Sequence, residues 1–119
     1  MLSEFVRHTA KGAGELALNY YKKEIKVNEK DDRSDLVTEA DTAVENYIVK
    51  EIKKHYPEHG IIGEEGVANT DGNSEYVWVI DPIDGTRNFA NHIAFWCVMI
   101  GIEKDGKPYM GCVYDAIND

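Results

Sequence analysis

Apolar positions in the first twenty residues recur at steps of three and four. Leu2, Phe5, Val6, Ala10, Ala13, Leu16, Ala17 and Tyr20 share one face of an amphipathic helix that ends near Tyr21. From Glu24 to Lys30 the period shortens to two. Ile25 and Val27 alternate with Lys26 and Asn28, which predicts a short strand with one wet face. Lys30 to Ser34 is charged or polar throughout and predicts a solvated loop. Thr38-Glu39-Ala40-Asp41 then fits the helix-start pattern of a Ser/Thr followed three residues later by an acid. Ala40, Val44, Tyr47, Ile48 and Ile52 form the stripe of this second helix, which Pro57 stops. On that register Asp41 lies in the first turn, where the helix dipole favours a carboxylate.

Past residue 60 the pattern turns to strands. Ile61-Ile62 is a short one, and Val67 to Glu75 is a polar loop. Tyr76 to Ile80 is nearly all apolar and predicts a strand buried on both faces. Ala94 to Glu103 and Pro108 to Tyr114 are strands joined through Lys104-Asp105-Gly106-Lys107. Asp-Gly between apolar runs signals a tight hairpin. Two helices followed by an antiparallel meander predict an α+β layer structure, with the helices packed on a mainly antiparallel sheet.

Composition narrows the class. The 119 residues suffice for one core and not for two domains. Apolar residues make up 43% and charged residues 29%, a soluble globular balance. Thirteen basic against 22 acidic residues leave a net charge of −9. Such a chain lacks the positive footprint that nucleic acid or an anionic membrane requires. It can still hold phosphate if a metal ion supplies the positive charge. The N-terminus mixes acid and base into its apolar run, so it predicts no signal peptide. The longest apolar stretch, Ile93 to Ile102, is too short for a bilayer span and predicts a core strand. Cys97 and Cys112 sit in apolar runs without C-x-x-C spacing. Two buried thiols in a reducing cytoplasm is one reading, and a single disulfide is the other.

The candidate chemistry is acidic. Between Ile61 and Thr86 there are six acids and no Lys or Arg: Glu64, Glu65, Asp71, Glu75, Asp81 and Asp84. Asp81-Pro82-Ile83-Asp84-Gly85-Thr86 directly follows the apolar strand. Pro82 ends the ladder and Gly85 permits a sharp turn, so Asp81 and Asp84 can face one site with the Ile83 carbonyl between them. The N–H groups of Gly85 and Thr86 are placed to meet an anion if a helix starts there. Carboxylates with a backbone carbonyl suit Mg²⁺ or Mn²⁺, not zinc. A plain capped turn, with both acids bonding local amides, accounts for the same spacing.

Taken together, three segments resemble the inositol monophosphatase family of metal-dependent, lithium-sensitive phosphatases. They are Asp35-Leu36-Val37-Thr38-Glu39-Ala40-Asp41, Gly63-Glu64-Glu65, and Trp78-Val79-Ile80-Asp81-Pro82-Ile83-Asp84-Gly85-Thr86 with Asn88-Phe89 just after. The resemblance implies the N-terminal half of a layered α/β/α/β/α sugar-phosphatase fold, with the C-terminal half absent. It implies Mg²⁺-dependent hydrolysis of a phosphate monoester, most simply inositol 1-phosphate, by metal-activated water. Mn²⁺ is the implied substitute, and Ca²⁺ or Li⁺ the implied inhibitors. Glu64, Asp81, Asp84 and the Ile83 carbonyl are the implied metal ligands. Asp41, Thr86 and Glu64 are the implied catalytic residues, with Asp41 and Thr86 orienting or deprotonating the attacking water. Gly85, Thr86 and Asp84 are implied to bind substrate. Lys30 stands where the family often has a lysine near the flap over the metals, and a plain surface lysine is the other reading.

The resemblance further implies a cytoplasmic homo-oligomer acting on a small phosphorylated polyol or sugar. Arg87 departs from the inositol type and resembles members acting on histidinol phosphate. Branches that cleave fructose 1,6-bisphosphate or nucleotide 3′-phosphates are further alternatives. Family members run to roughly twice this length, and the missing half carries another aspartate ligand. A non-catalytic, truncated metal-binding module is therefore the competing reading.

Overall fold

A computed structural model describes residues 2–23, 30–64 and 71–118, with the side chains of residues 30–37 outside the description. Helix α1 spans Leu2–Lys23 and helix α2 spans Lys30–His55. Strand β1 is Gly60–Gly63 and strand β2 is Tyr76–Asp84. A single-turn helix α3, Thr86–Ala90, precedes strands β3, Cys97–Lys104, and β4, Lys107–Tyr114.

The four strands form one sheet in the order β1-β2-β3-β4. β2, β3 and β4 pair antiparallel, as the meander predicts, whereas β1 runs parallel to β2. The hairpin between β3 and β4 turns on Asp105 and Gly106, both at positive φ, the two-residue geometry that Asp-Gly favours. Both helices lie on one face of the sheet: α2 packs on β2, and α1 on β3 and β4. Beneath them Ile61, Trp78, Ile80, Val98, Ile100 and Ile102 are buried against Val6, Ala10, Val44, Ile48 and Ile52. Each large side chain so buried stabilises the fold by about 1.5–3 kcal/mol. Alanines and Gly14 on α1 allow close approach, since a Cβ on Gly14 would collide with the Tyr114 ring. No helix among the described residues is long and apolar enough to cross a membrane.

Several sequence expectations are corrected. Helix α2 begins at Lys30, so the stretch expected to be a loop is helical, and Thr38 does not start the helix. A run of charged and polar residues has no apolar period of its own, so its sequence fits loop and helix alike. Asp41 consequently sits well inside α2, away from the dipole's positive end, and is buried. β2 is not buried on both faces, because Val79 is 40% exposed. β3 starts at Cys97 rather than Ala94, with Ile93 and Phe95 exposed on the preceding turn. Both cysteines are free and half-buried. The strand expected over Glu24–Lys30 falls on residues 24–29, outside the description, and Lys30 opens α2.

Candidate metal-binding site

The site grows from two features of the sheet. The first is the parallel register of β1 and β2, which pairs Gly63 with Ile80. The next residues, Glu64 and Asp81, therefore emerge side by side at the same end of the two strands. The Glu64 N–H donates to the Ile80 carbonyl at 3.0 Å, which extends the pairing to Glu64.

The second feature is a bulge. Asp81 and Asp84 are three apart, so in a regular strand they would point to opposite faces. Asp81 pairs with Met99 and Asp84 with Cys97, so β2 uses one more residue than β3 over this stretch. Pro82 and Ile83 are both buried, and Asp81 and Asp84 both turn towards the open face. Pro82 thus interrupts the ladder instead of ending the strand, since a proline has no N–H to donate. Gly85 follows at φ 92°, a left-handed conformation that suits glycine, and α3 starts at Thr86. A cluster of Tyr21, Phe89, His92 and Trp96 pins α3 and its exit turn to the end of α1, with Tyr21 and His92 stacked at 4.1 Å.

The charges of neighbouring acids reach Asp81. The Asp81 carboxyl is pushed up to about 7, first by burial, then by a hydrogen bond with Glu64 and by the charges of Glu64, Asp84 and Asp41. Three other predicted acids, from α2, the end of β1 and the far side of the bulge, therefore act on Asp81. Asp81 Oδ1 is buried and has no hydrogen-bond partner among the described residues. Cys97 lies close by, with its Sγ 3.9 Å from Asp84 Oδ2. Burial and the nearby Asp84 and Asp81 raise its thiol above the ordinary range and keep it protonated. A cleft of about 460 Å³ opens beside them, lined by Asp84, Gly85, Asn88, Phe95, Cys97 and Asp115. Asn88 Nδ2 donates to the Phe95 carbonyl at 2.9 Å and holds the cleft rim.

The donor set is hard oxygen, and a buried carboxylate oxygen without a donor is the kind of group a cation satisfies. Among the described residues no three His, Cys, Asp or Glu side chains stand close enough to enclose an ion by themselves. Glu64 is the neighbour whose hydrogen bond and charge act most on Asp81 after burial, and a divalent ion between two such carboxylates would offset their repulsion. The unpartnered Asp81 oxygen and the acids around it are the donor type that suits a hard divalent cation.

The remaining predicted residues are placed as follows. Thr86 is half-buried at the first position of α3, and the Ile83 side chain is in the core at 1% exposure. The side chains of Lys30 and Asp35-Leu36-Val37, and the whole of Glu65, lie outside the described residues. Of the histidines, His59 accepts a hydrogen bond from Trp78 Nε1 at 2.9 Å, a structural role. Glu45 was not singled out by sequence, yet it is fully buried beside this site. No local signal distinguishes it, because a lone acid in a polar helix resembles a surface residue.

Comparisons with known proteins show the family and the fold. A model of the inositol monophosphatase family matches residues 2–119. Inositol monophosphatase 3 of Solanum lycopersicum is 42% identical over 113 residues, covering 92% of this chain and 42% of that protein. The crystal structure of the extragenic suppressor protein suhB from Bartonella henselae has a TM-score of 0.85 at 31% identity, over 99% of this chain and 45% of that one. Inositol monophosphatase-II from Staphylococcus aureus has a TM-score of 0.83 at 38% identity, over 99% of this chain and 42% of that one. A structure of SaIMPase-II holds inositol monophosphate. This chain spans less than half the length of each of these relatives. With the motifs, the fold and the family model all in agreement, the chain belongs to the inositol monophosphatase family.

Proposed function

We propose that this chain supplies the N-terminal metal-binding portion of a Mg²⁺-dependent phosphomonoesterase, with inositol 1-phosphate as the favoured substrate. The observation that carries the reading is the convergence of Asp41, Glu64, Asp81 and Asp84 at the β2 bulge. The inositol phosphate is favoured because similar proteins are inositol monophosphatases.

Glu64, Asp81, Asp84 and the Ile83 carbonyl would hold the ion, with Mn²⁺ as a substitute. Bound there, the ion would supply positive charge for a water to become nucleophilic near neutral pH and for the leaving oxygen to be stabilised. Asp41 on α2 and Thr86 on α3 would orient the attacking water or take its proton. The Gly85 and Thr86 N–H groups would hold phosphate oxygens where the chain leaves the bulge. Asp84 would also touch the substrate hydroxyls, since it is exposed at the mouth of the cleft. Phosphoryl transfer needs positioning and charge neutralisation more than a covalent nucleophile, so no Ser, Cys or His is asked to attack.

The test is phosphate release from inositol 1-phosphate, measured on the 119-residue chain and on a chain completed to the length of its relatives. The completed protein should require Mg²⁺, lose activity in Li⁺, and fall at least 100-fold with Asp84→Asn. Release without any metal, or full activity of that variant, overturns the reading. Turnover by the 119-residue chain alone would reject the narrower reading of an incomplete, non-catalytic module.

A further inference from the structure

Among the described residues Glu45 is the only charged side chain with no exposure. Burying a carboxyl is costly, so such a position calls for a structural reason. Glu45 lies one helical turn beyond Asp41, on the same face of α2. Its carboxyl occupies the space directly over Gly63, the last residue of β1. A Cβ added to Gly63 would sit 2.5 Å from Glu45 Cδ and 2.6 Å from each carboxyl oxygen. Gly63 is not at positive φ, so the glycine is required for room and not for conformation. On the surface a long side chain would swing away from such a contact, but full burial leaves Glu45 nowhere to go. The residue after Gly63 is Glu64, whose N–H is bonded to Ile80.

We propose that Glu45 is a positioning residue: its buried carboxyl, fitted against Gly63, fixes the β1 exit and thereby sets Glu64 against Asp81. Its consequence for metal affinity rests on the function proposed above, whereas the positioning itself does not. The pair Glu45–Gly63 acts as a lock between the helical layer and the acidic end of the sheet.

Two readouts on the 119-residue chain test this. Amide hydrogen exchange at Glu64, referenced to Ile100 in β3, reports the positioning without any metal. Mn²⁺ binding, followed by the loss of the free-ion paramagnetic resonance signal, reports its consequence. Glu45→Ala and Gly63→Ala should each speed exchange at Glu64 at least tenfold and weaken Mn²⁺ binding at least fivefold. Glu45→Gln, which keeps the shape and an acceptor oxygen, should leave both within twofold. The double variant Glu45→Ala/Gly63→Ala should exchange more slowly than Gly63→Ala, because the new methyl enters vacated space. Unchanged Glu64 exchange in Glu45→Ala, or a double variant no better than Gly63→Ala, overturns the proposal. Should Gly63→Ala fail to fold, the contrast between Glu45→Ala and Glu45→Gln decides. If the parent takes up no Mn²⁺ while exchange follows the expected pattern, the function proposed above fails and the positioning stands.

Discussion

Asp81 is where stability and chemistry oppose each other. Its carboxyl is raised from an ordinary value of 3.8 to about 7, chiefly by burial and then by Glu64. An acid with a raised folded value takes up a proton on folding within that window, so its contribution to stability falls as pH rises from about 4 to 7. Asp81→Asn removes the ionisation. The variant should unfold at a higher temperature than the parent at pH 8, and the gap should narrow towards pH 4. The difference at pH 8 is about 1–2 kcal/mol, less than full linkage would give because solvent screens a part-exposed group. Calorimetric melting of both proteins across that range checks it. Mg²⁺ should raise the parent's melting temperature and leave that of the variant unchanged. At this scale much was legible: Asp81, Asp84 and Gly85 stand in one segment whose chemistry is local. Asp41 was picked out by its motif, and its charge does reach Asp81, but the dipole argument for it fails inside a longer helix. Glu45 was illegible because its carboxyl packs over Gly63, eighteen residues away in the sequence.

The turn between β2 and α3 is the element on which the site depends. Gly85 is left-handed, and a Cβ there would lie 3.1 Å from the Phe95 carbonyl oxygen. Gly85→Ala should therefore cost at least about 1–2 kcal/mol from backbone strain alone, before any crowding. Urea unfolding measures this, with the midpoint moving and the slope unchanged. Element types were largely legible, since helical and strand periods differ strongly in α1, β3 and β4. Boundaries were not. The N-terminal extension of α2 was hidden by polar composition, and the apolar residues Ile93 and Phe95 looked like strand but serve as a turn. The parallel pairing of β1 could not be foreseen, because four residues of GIIG carry no directional signal. Yet that pairing is what brings Glu64 to Asp81.

Across the whole molecule, one face of the sheet carries both helices and the other carries none among the described residues. Ile62, Val79, Met99 and Val113 are exposed on it, Val113 by 64%. Glycines 101 and 111 pair at its centre, which leaves a shallow apolar trough. A patch of this kind favours association. At tens of micromolar the chain should sediment as a dimer or larger species, and Val113→Lys should shift it towards monomer. A parent that sediments as a monodisperse monomer would contradict this. The layered architecture was legible from the order of helical and strand segments, and an uncovered apolar face follows from half of a layered fold, but the reading of Tyr76 to Ile80 as doubly buried misplaced Val79, which lies on that face. The two ways the sheet is joined also set an order of assembly. The β3–β4 hairpin closes over two residues and can form within about microseconds. The β1–β2 pair must close the long connection from Glu64 to Tyr76 before its contacts repay the lost chain entropy. Glu64 and Asp81 therefore meet late, after the hairpin is made. A cation that needs both would recognise only the finished fold, slowing its unfolding without hastening its formation.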